Sequence, residues 1–277
     1  MKSKELKKIL NSNETLLMPD AYDSISAKLI EKAGFKAIQC SGYSFSVAAG
    51  YKRETDISLD ENVEWTRRII ESVNIPVMAD AEDGYGDPKE VVNTVKRFID
   101  VGVAGLNIED QIHNGKSRLS IVDEDIMIQK IINARETAEN KYINNFIING
   151  RTDALRSIED RDEGLKIAID RANQYIQAGA DIAFIPYIET LDEVKKVTKK
   201  VKGPVSIAAG MPYNINNFTI EDLKQSGVSR ISFPTLLILS SLQSIKRSLE
   251  YLKEDKISEF LDNGNLYSIE EIMKLLG

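Results

Sequence analysis

Short apolar runs recurring between amphipathic segments constrain this chain more than any other feature. Runs rich in β-branched residues lie at 15–19 (TLLMP), 36–40 (KAIQC), 75–79 (IPVMA), 104–108 (AGLNI), 146–150 (FIING), 181–185 (DIAFI), 204–208 (PVSIA) and 228–233 (VSRISF). Runs this short, apolar on both faces, read as buried strands. The segments between them carry helical period: Leu165, Ala168, Ile169, Ala172 and Ile176 share one face, and Ile128, Ile131, Ile132 and Arg135 are neighbours on another. Glycine turns at 32–35 (KAGF), 100–105 (DVGVAG), 177–181 (QAGAD) and 225–230 (QSGVSR) mark helix ends that feed the next strand. This repetition predicts the α/β class, a (β/α)8 TIM-type barrel rather than a doubly wound sheet. No Gly-x-Gly-x-x-Gly follows the first run, which also opposes a dinucleotide-binding fold. No linker rich in Pro, Gly or Ser interrupts the pattern, so residues 1–277 are expected to form one barrel domain, with short C-terminal helices from about 255.

Charge narrows the class of partner. With 43 acidic and 36 basic residues the formal net charge is −7, which opposes a nucleic-acid or membrane-surface role. The basic stretch KKVTKKVK (195–202) reads as the wet face of a helix. One cysteine, Cys40, leaves no disulfide within the chain. The start, MKSKELKKILNSNETL, has no apolar h-region, and nothing approaches a membrane span. A cytoplasmic location and a small-molecule substrate are the expectation.

In such a barrel the C-terminal ends of the strands converge on the active face. The residues at those ends are Pro19 and Asp20; Cys40, Ser41 and Gly42; Asp80 and Glu82; Glu109 and Asp110. Then come Arg151, Thr152 and Asp153; Pro186 and Tyr187; Gly210; Phe233 and Pro234. Asp80 and Glu82 are thus expected to meet Glu109 and Asp110 at one rim. Carboxylates that close repel unless a cation sits among them or some take up protons. With only His113 nearby and no Cys–His cluster, a hard cation fits: Mg2+ first, with Mn2+ able to substitute. Arg151 can fork onto a substrate carboxylate or phosphoryl group. Taken singly, a strand-end Asp is more often a helix cap, and Asp83 and Asp87 read as turn or cap residues ahead of Pro88. Cys40 reads as a small core residue and His113 as a solvated side chain.

The stretches MPDAYDSISAKLIEKAGF (18–35), SGYSFSVAAGY (41–51), ADAEDGYGD (79–87), VGVAGLNIEDQ (101–111), INGRTDAL (148–155), RANQYIQAGADIAFIP (171–186) and GVSRISF (227–233), in this order, resemble the isocitrate lyase/phosphoenolpyruvate mutase superfamily. The resemblance implies an α/β barrel whose last helix is swapped with a partner subunit, in a homo-oligomer, dimer or tetramer. It implies Mg2+ at Asp80, Glu82 and Glu109, and 2-oxo acid, 2-hydroxy acid or phosphonate substrates. The substrate-binding set expected from it is Tyr22, Ser41, Gly42, Tyr43, Asp80 and Arg151. The expected catalytic set is Arg151, with Lys116 or Arg118 lent by the loop 111–120 acting as a mobile gate.

That loop, QIHNGKSRLS (111–120), carries neither the Lys-Lys/Arg-Cys-Gly-His run of the lyases proper nor the Lys-Thr-Asn-Ser-Leu run of the phosphonate mutases. GYKRETD (50–56) places Arg53 near the position of the mutases' Asp, with Asp56 three residues on. What remains is the part the family shares, a metal and donors that stabilise an enolate. The leading expectation is a Mg-dependent lyase that cleaves a C–C bond of a 2-oxo or 2-hydroxy acid through a pyruvate-type enolate, oxaloacetate decarboxylase-like. The alternative is C–P bond chemistry, phosphonopyruvate hydrolase-like or carboxyphosphonoenolpyruvate/phosphoenolpyruvate phosphonomutase-like. A further alternative is a catalytically inactive metabolite binder of the same fold. A Schiff-base aldolase is opposed, because Lys36 and Lys202 lie at strand starts. Leu236, Leu239, Leu242, Ile245, Leu249 and Leu252 suit a helix packed in a bundle, within or between subunits.

Overall fold

A computed structural model describes residues 1–12, 14–112, 120–262 and 266–277, with backbone alone for 261 and 262. Each of the eight apolar runs holds a strand. These are β1 (Leu16–Ala21), β2 (Ile38–Cys40), β3 (Val77–Asp80), β4 (Gly105–Glu109), β5 (Ile147–Arg151), β6 (Ile182–Phe184), β7 (Val205–Ala208) and β8 (Arg230–Phe233). They close into a parallel barrel in sequence order, with β8 beside β1. The chain therefore has the (β/α)8 architecture that its alternation predicts.

Helices cover the outside: α1 (Lys2–Leu10), α2 (Ser24–Lys32), α3 (Gly42–Ala49), α4 (Leu59–Ser72), α5 (Pro88–Val101), α6 (Glu124–Asn140) and α7 (Ala154–Ser157). They continue with α8 (Arg161–Gln177), α9 (Leu191–Lys200), α10 (Ile220–Gln225), α11 (Leu236–Lys253), α12 (Ile257–Asp262) and α13 (Ile269–Leu276). Their starts and stops follow local chemistry. Asp87 caps α5 through the amides of Lys89 and Glu90, and Pro88 takes the first helical position, where no amide is missed. Gly102 ends that helix in the left-handed region, φ 97°, which turns the chain toward β4 at no side-chain cost.

The core lies in layers. Val91, Val95 and Phe98 of α5 pack with Leu106 and Ile108 of β4, and Leu165, Ala168 and Ile169 of α8 with Ala183 of β6. Each such fully buried Leu, Ile or Phe stabilises the fold by about 1.5–3 kcal/mol. At the N-terminal end α1 closes the barrel, laying Leu6 and Leu10 on Leu16, Met18, Met78, Ile147 and Ile182. Lys7 of α1 pairs there with Asp181, which Arg135 also holds at 2.5 Å.

Higher in the barrel the interior becomes polar. Asn149 Nδ2 donates to Asn107 Oδ1 at 2.7 Å. Arg230, fully buried, donates to Gln39 Oε1 at 2.5 Å and to Ser206 Oγ at 2.7 Å. This layer forms the floor of the active face.

After β8 the chain enters α11, which buries Ile238 but leaves Leu236, Leu239, Leu242, Ile245, Leu249 and Leu252 between 42% and 59% exposed. Among the described residues no helix is long and apolar enough to cross a membrane. Lys195, Lys196, Lys199 and Lys200 are exposed on α9, so the basic stretch is a solvated face.

Candidate active site

Strand register assembles the site. β3 and β4 set Asp80 opposite Asn107, and β4 and β5 set Glu109 opposite Arg151. Side chains alternate along a strand, so Asn107 and Glu109 share a face with Asn149 and Arg151 of the next strand. Beyond Asp80 the chain keeps bonding to β4: Ala81 N donates to Asn107 O at 3.0 Å, and Glu109 N to Glu82 O at 2.9 Å. That path holds Glu82 at φ 50°, a conformation that costs a non-glycine residue of order 1–3 kcal/mol. The strain delivers the Glu82 carboxylate to the strand ends.

Arg151 stands between two carboxylates, with Nη1 at 2.7 Å from Glu109 Oε2 and Nη2 at 2.9 Å from Asp153 Oδ1. Burial works against its charge, but Asp153 and Glu109 outweigh that and raise its pKa. Asp80 Oδ2 accepts from Gly42 N at 3.2 Å, while Oδ1 has no hydrogen-bond partner. Neither oxygen of Glu82 has one. Burial lifts the pKa of both carboxyls. In Glu82 the charges of Asp80, Glu54 and Glu109 push further the same way, and in Asp80 the Arg151 charge opposes the rise.

Buried carboxylate oxygens without donors are costly unless a cation meets them. The carboxylates here offer hard oxygen donors, and that suits Mg2+ or Mn2+. Among the described residues no three His, Cys, Asp or Glu side chains converge as a ready cage. Asp80 and Glu82 present bare oxygens, whereas Glu109 is turned to Arg151. This fits an ion that takes few carboxylates and keeps waters or substrate in its other positions.

Gly42 is shaped to that carboxylate. A Cβ there would lie 1.6 Å from Glu82 Oε1 and 2.8 Å from its Cδ. Gly42→Ala must therefore displace the Glu82 side chain, while alanine at the first position of α3 favours the helix. We expect the melting curve to stay near that of the wild type while calorimetric Mg2+ affinity falls about tenfold or more. Unchanged affinity would refute the role of Glu82.

The strand ends open into a cavity of about 670 Å3. Asp20, Gln39 and Asn107 line it with Ser41, Tyr43, Glu54, Asp80 and Arg151, and with Arg156, Tyr187 and Tyr213. Ser41 caps α3 by accepting from Ser44 N at 3.3 Å. The structure thus gathers Ser41, Gly42, Tyr43, Asp80, Glu82, Glu109 and Arg151 at one place.

Two expectations are corrected. Tyr22 faces away: the chain leaves β1 at Ala21 and turns into α2, and the Tyr22 hydroxyl lies 2.6 Å from Ser241 Oγ on α11. Asp110 does not join the rim carboxylates. It turns outward, accepting from Asp153 N at 2.9 Å, Tyr175 Oη at 2.7 Å and Arg171 Nη1 at 3.1 Å. Burial, and then the charge of Asp153, raise its pKa. Its role is to fix Asp153, which in turn holds Arg151. His113, Lys116 and Arg118 lie outside the described residues; the antiparallel ribbon of Gln111–Ile112 with Ser120–Ile121 flanks them. Sequence reading missed Glu54, Asn107, Arg156 and Tyr213. Asn107 carried a signal, because it stands two residues before Glu109 and so shares its face.

The chain belongs to the isocitrate lyase/phosphoenolpyruvate mutase superfamily: residues 6–253 match the family described as phosphoenolpyruvate phosphomutase. Among its relatives, the 2,3-dimethylmalate lyase of Eubacterium barkeri is 29% identical over 97% of this chain and 96% of its own. The 2-methylisocitrate lyase of Aeropyrum pernix is also 29% identical, over 98% of this chain and 86% of its own. A crystal structure of phosphonopyruvate hydrolase in complex with oxalate and Mg2+ has the same fold, with a TM-score of 0.87 at 24% identity over 99% of this chain and 94% of that one. The superfamily includes both lyases and phosphonomutases.

Proposed function

We propose that the protein is a Mg-dependent lyase that cleaves a C–C bond of a 2-oxo or 2-hydroxy acid and yields a pyruvate-type enolate, in the manner of an oxaloacetate decarboxylase. The observation that carries this reading is the pair of buried carboxylates, Asp80 and Glu82, three of whose four oxygens lack donors, near Arg151 in the barrel mouth. The names of the lyases it resembles support it. Mg2+ held by Asp80 and Glu82, with Glu109 beside them, would supply Lewis-acid polarisation of the oxygen on substrate carbon 2.

The chain's own residues bind and orient. Arg151 forks onto the substrate carboxylate, and the Phe184 ring, 5.6 Å from the guanidinium carbon, limits its movement. Ser41, Gly42 and Tyr43 form the adjoining wall at the start of α3. In a 2-oxo diacid the C3–C4 bond breaks: the distal carboxylate leaves as CO2, the bonding electrons pass to the oxygen on carbon 2 to give the enolate, and carbon 3 is then protonated. We assign Lys116 of the 111–120 loop to the proton transfer, and Arg118 to holding substrate charge as the loop closes over the site. Purified protein with Mg2+ should release pyruvate from a 2-oxo diacid and lose that activity to a chelator. No turnover across such a panel refutes the reading.

The family match, described as phosphoenolpyruvate phosphomutase, favours a second reading, C–P bond chemistry on a phosphonate. Release of inorganic phosphate from phosphonopyruvate separates the two.

The exposed row on α11 supports a homo-oligomer in which this helix packs against a second copy. Six half-exposed Leu and Ile side chains on one helix form an apolar stripe that water disfavours. Leu242→Glu combined with Leu249→Glu should convert a dimer or tetramer to a monomer by light scattering. A monomeric wild type, or an unaltered variant, would refute the assignment.

A further inference from the structure

The wall of the cavity next to Arg151 is built of cations and phenols. Its lining carries three guanidinium groups among the described residues, those of Arg151, Arg156 and Arg161. Two are committed. Arg151 is held by Glu109 and Asp153. Arg161 forks onto Glu193, with Nε at 2.7 Å from Oε1 and Nη2 at 2.9 Å from Oε2, and its Nη1 lies 3.4 Å from Glu189. Arg156 has no ion pair among the described residues. Its guanidinium carbon lies 4.8 Å from the centroid of the Tyr187 ring.

Tyr187 is held in place against its own preference. It sits at φ 63°, which costs an aromatic residue of order 1–3 kcal/mol. Arg161 Nη2 donates to its carbonyl at 2.6 Å, and its amide donates to Tyr213 Oη at 3.3 Å. The two rings tilt together, with centroids 5.4 Å apart. Because the Tyr213 oxygen accepts from that amide, its proton remains for a ligand. Burial pushes the Tyr213 hydroxyl up to about 12, so it stays a donor near neutrality. The strained backbone thus presents a guanidinium and two phenols to the cavity.

We propose that Arg156, Tyr187 and Tyr213 form a second anion subsite that binds an anionic oxygen group at the end of the substrate remote from its 2-oxo acid. The proposal rests on the function proposed above and assigns the residues that hold the second charge of its substrate. A cavity of about 670 Å3 has room for such a molecule. A guanidinium without a carboxylate partner offers its forked donors to carboxylate or phosphonate oxygens alike.

The test is calorimetry with Mg2+ present on the wild type, Arg156→Ala and Arg156→Lys. The probes are 2-oxoglutarate, its neutral-ended amide 2-oxoglutaramate, phosphonopyruvate, and oxalate, which is too short to span both sites. Wild type should bind 2-oxoglutarate at least about tenfold tighter than the amide. Arg156→Ala should abolish that preference, Arg156→Lys should retain part of it, and oxalate should bind all three proteins alike. A parallel loss of phosphonopyruvate affinity in Arg156→Ala extends the subsite to phosphonates, and no such loss confines it to carboxylates. A wild type that does not discriminate by charge, or an Arg156→Ala protein that still does, overturns the subsite alone. Oxalate failing to bind the wild type overturns the parent reading and the subsite together.

Discussion

Asp80→Asn is expected to abolish the proposed turnover of a 2-oxo diacid and, in the same protein, to raise the melting temperature. The two effects share one cause. Asp80 is 7% exposed, its Oδ1 lacks a partner, and the Glu82 carboxylate next to it lacks donors altogether. In the absence of a bound cation that arrangement strains the fold through burial and mutual repulsion. An asparagine of the same shape still accepts from Gly42 N and removes the charge. The relief should be about 1–2 kcal/mol, or roughly 2–8 °C in a chain of this size. Turnover should fall by about a thousandfold or more, because both the cation and the substrate oxygen lose their anchor. Titrating Mg2+ into each protein supplies a further check, since a ligand that binds only the native state stabilises it. The wild type should melt higher as Mg2+ rises, and the variant should respond far less. Turnover within tenfold of wild type would end the assignment of Asp80 to the metal.

The largest expected loss of stability lies deeper, at Arg230. This side chain is fully buried inside the barrel and donates to Met18 Sδ at 3.1 Å, Ser206 Oγ at 2.7 Å and Gln39 Oε1 at 2.5 Å. Burial lowers its pKa to about 10, against the raising effects of Asp20 and Asp80, so it remains charged at neutrality. Arg230→Ala leaves a void where four strands meet and strips donors from two buried oxygen acceptors and a thioether. It also removes the cation whose charge opposes the rise in the Asp20 carboxyl, which burial pushes up. We expect a loss of about 4 kcal/mol or more in urea unfolding. Arg230→Met refills most of the volume and should recover about half of that. Equal stability of the alanine variant and the wild type would show that the barrel interior repacks freely.

The barrel was legible because its signal is repeated and local. Every strand needs a run of buried residues, and glycine turns such as those at Gly102 and Gly179 announce the step from helix to strand. The acids of β3 and β4 and the arginine of β5 were legible for a related reason: in a parallel barrel, position at a strand end dictates the face. Direction just beyond the ladder was not legible. Asp110 follows Glu109 directly, yet its partners Arg171 and Tyr175 come from a helix more than sixty residues further along the chain. Nothing near Tyr22 foretells Ser241. Arg156 and Tyr213 were missed because they lie on short segments after strands, where no period fixes orientation. Glu82 was placed correctly at the strand end, but its left-handed backbone and its fit against Gly42 appear only in three dimensions.

The register that sets Glu109 across from Arg151 makes the two residues rivals for incoming guests. An acid drawn to the arginine must share it with the glutamate, and a metal drawn to the glutamate must contend with the arginine. If the proposed metal and acid both arrive, each would take over the contact the other frees. Linkage then requires that each raise the other's affinity by one common factor. A mouth of this design would discriminate twice, resisting stray carboxylic acids without metal and stray metal without the acid.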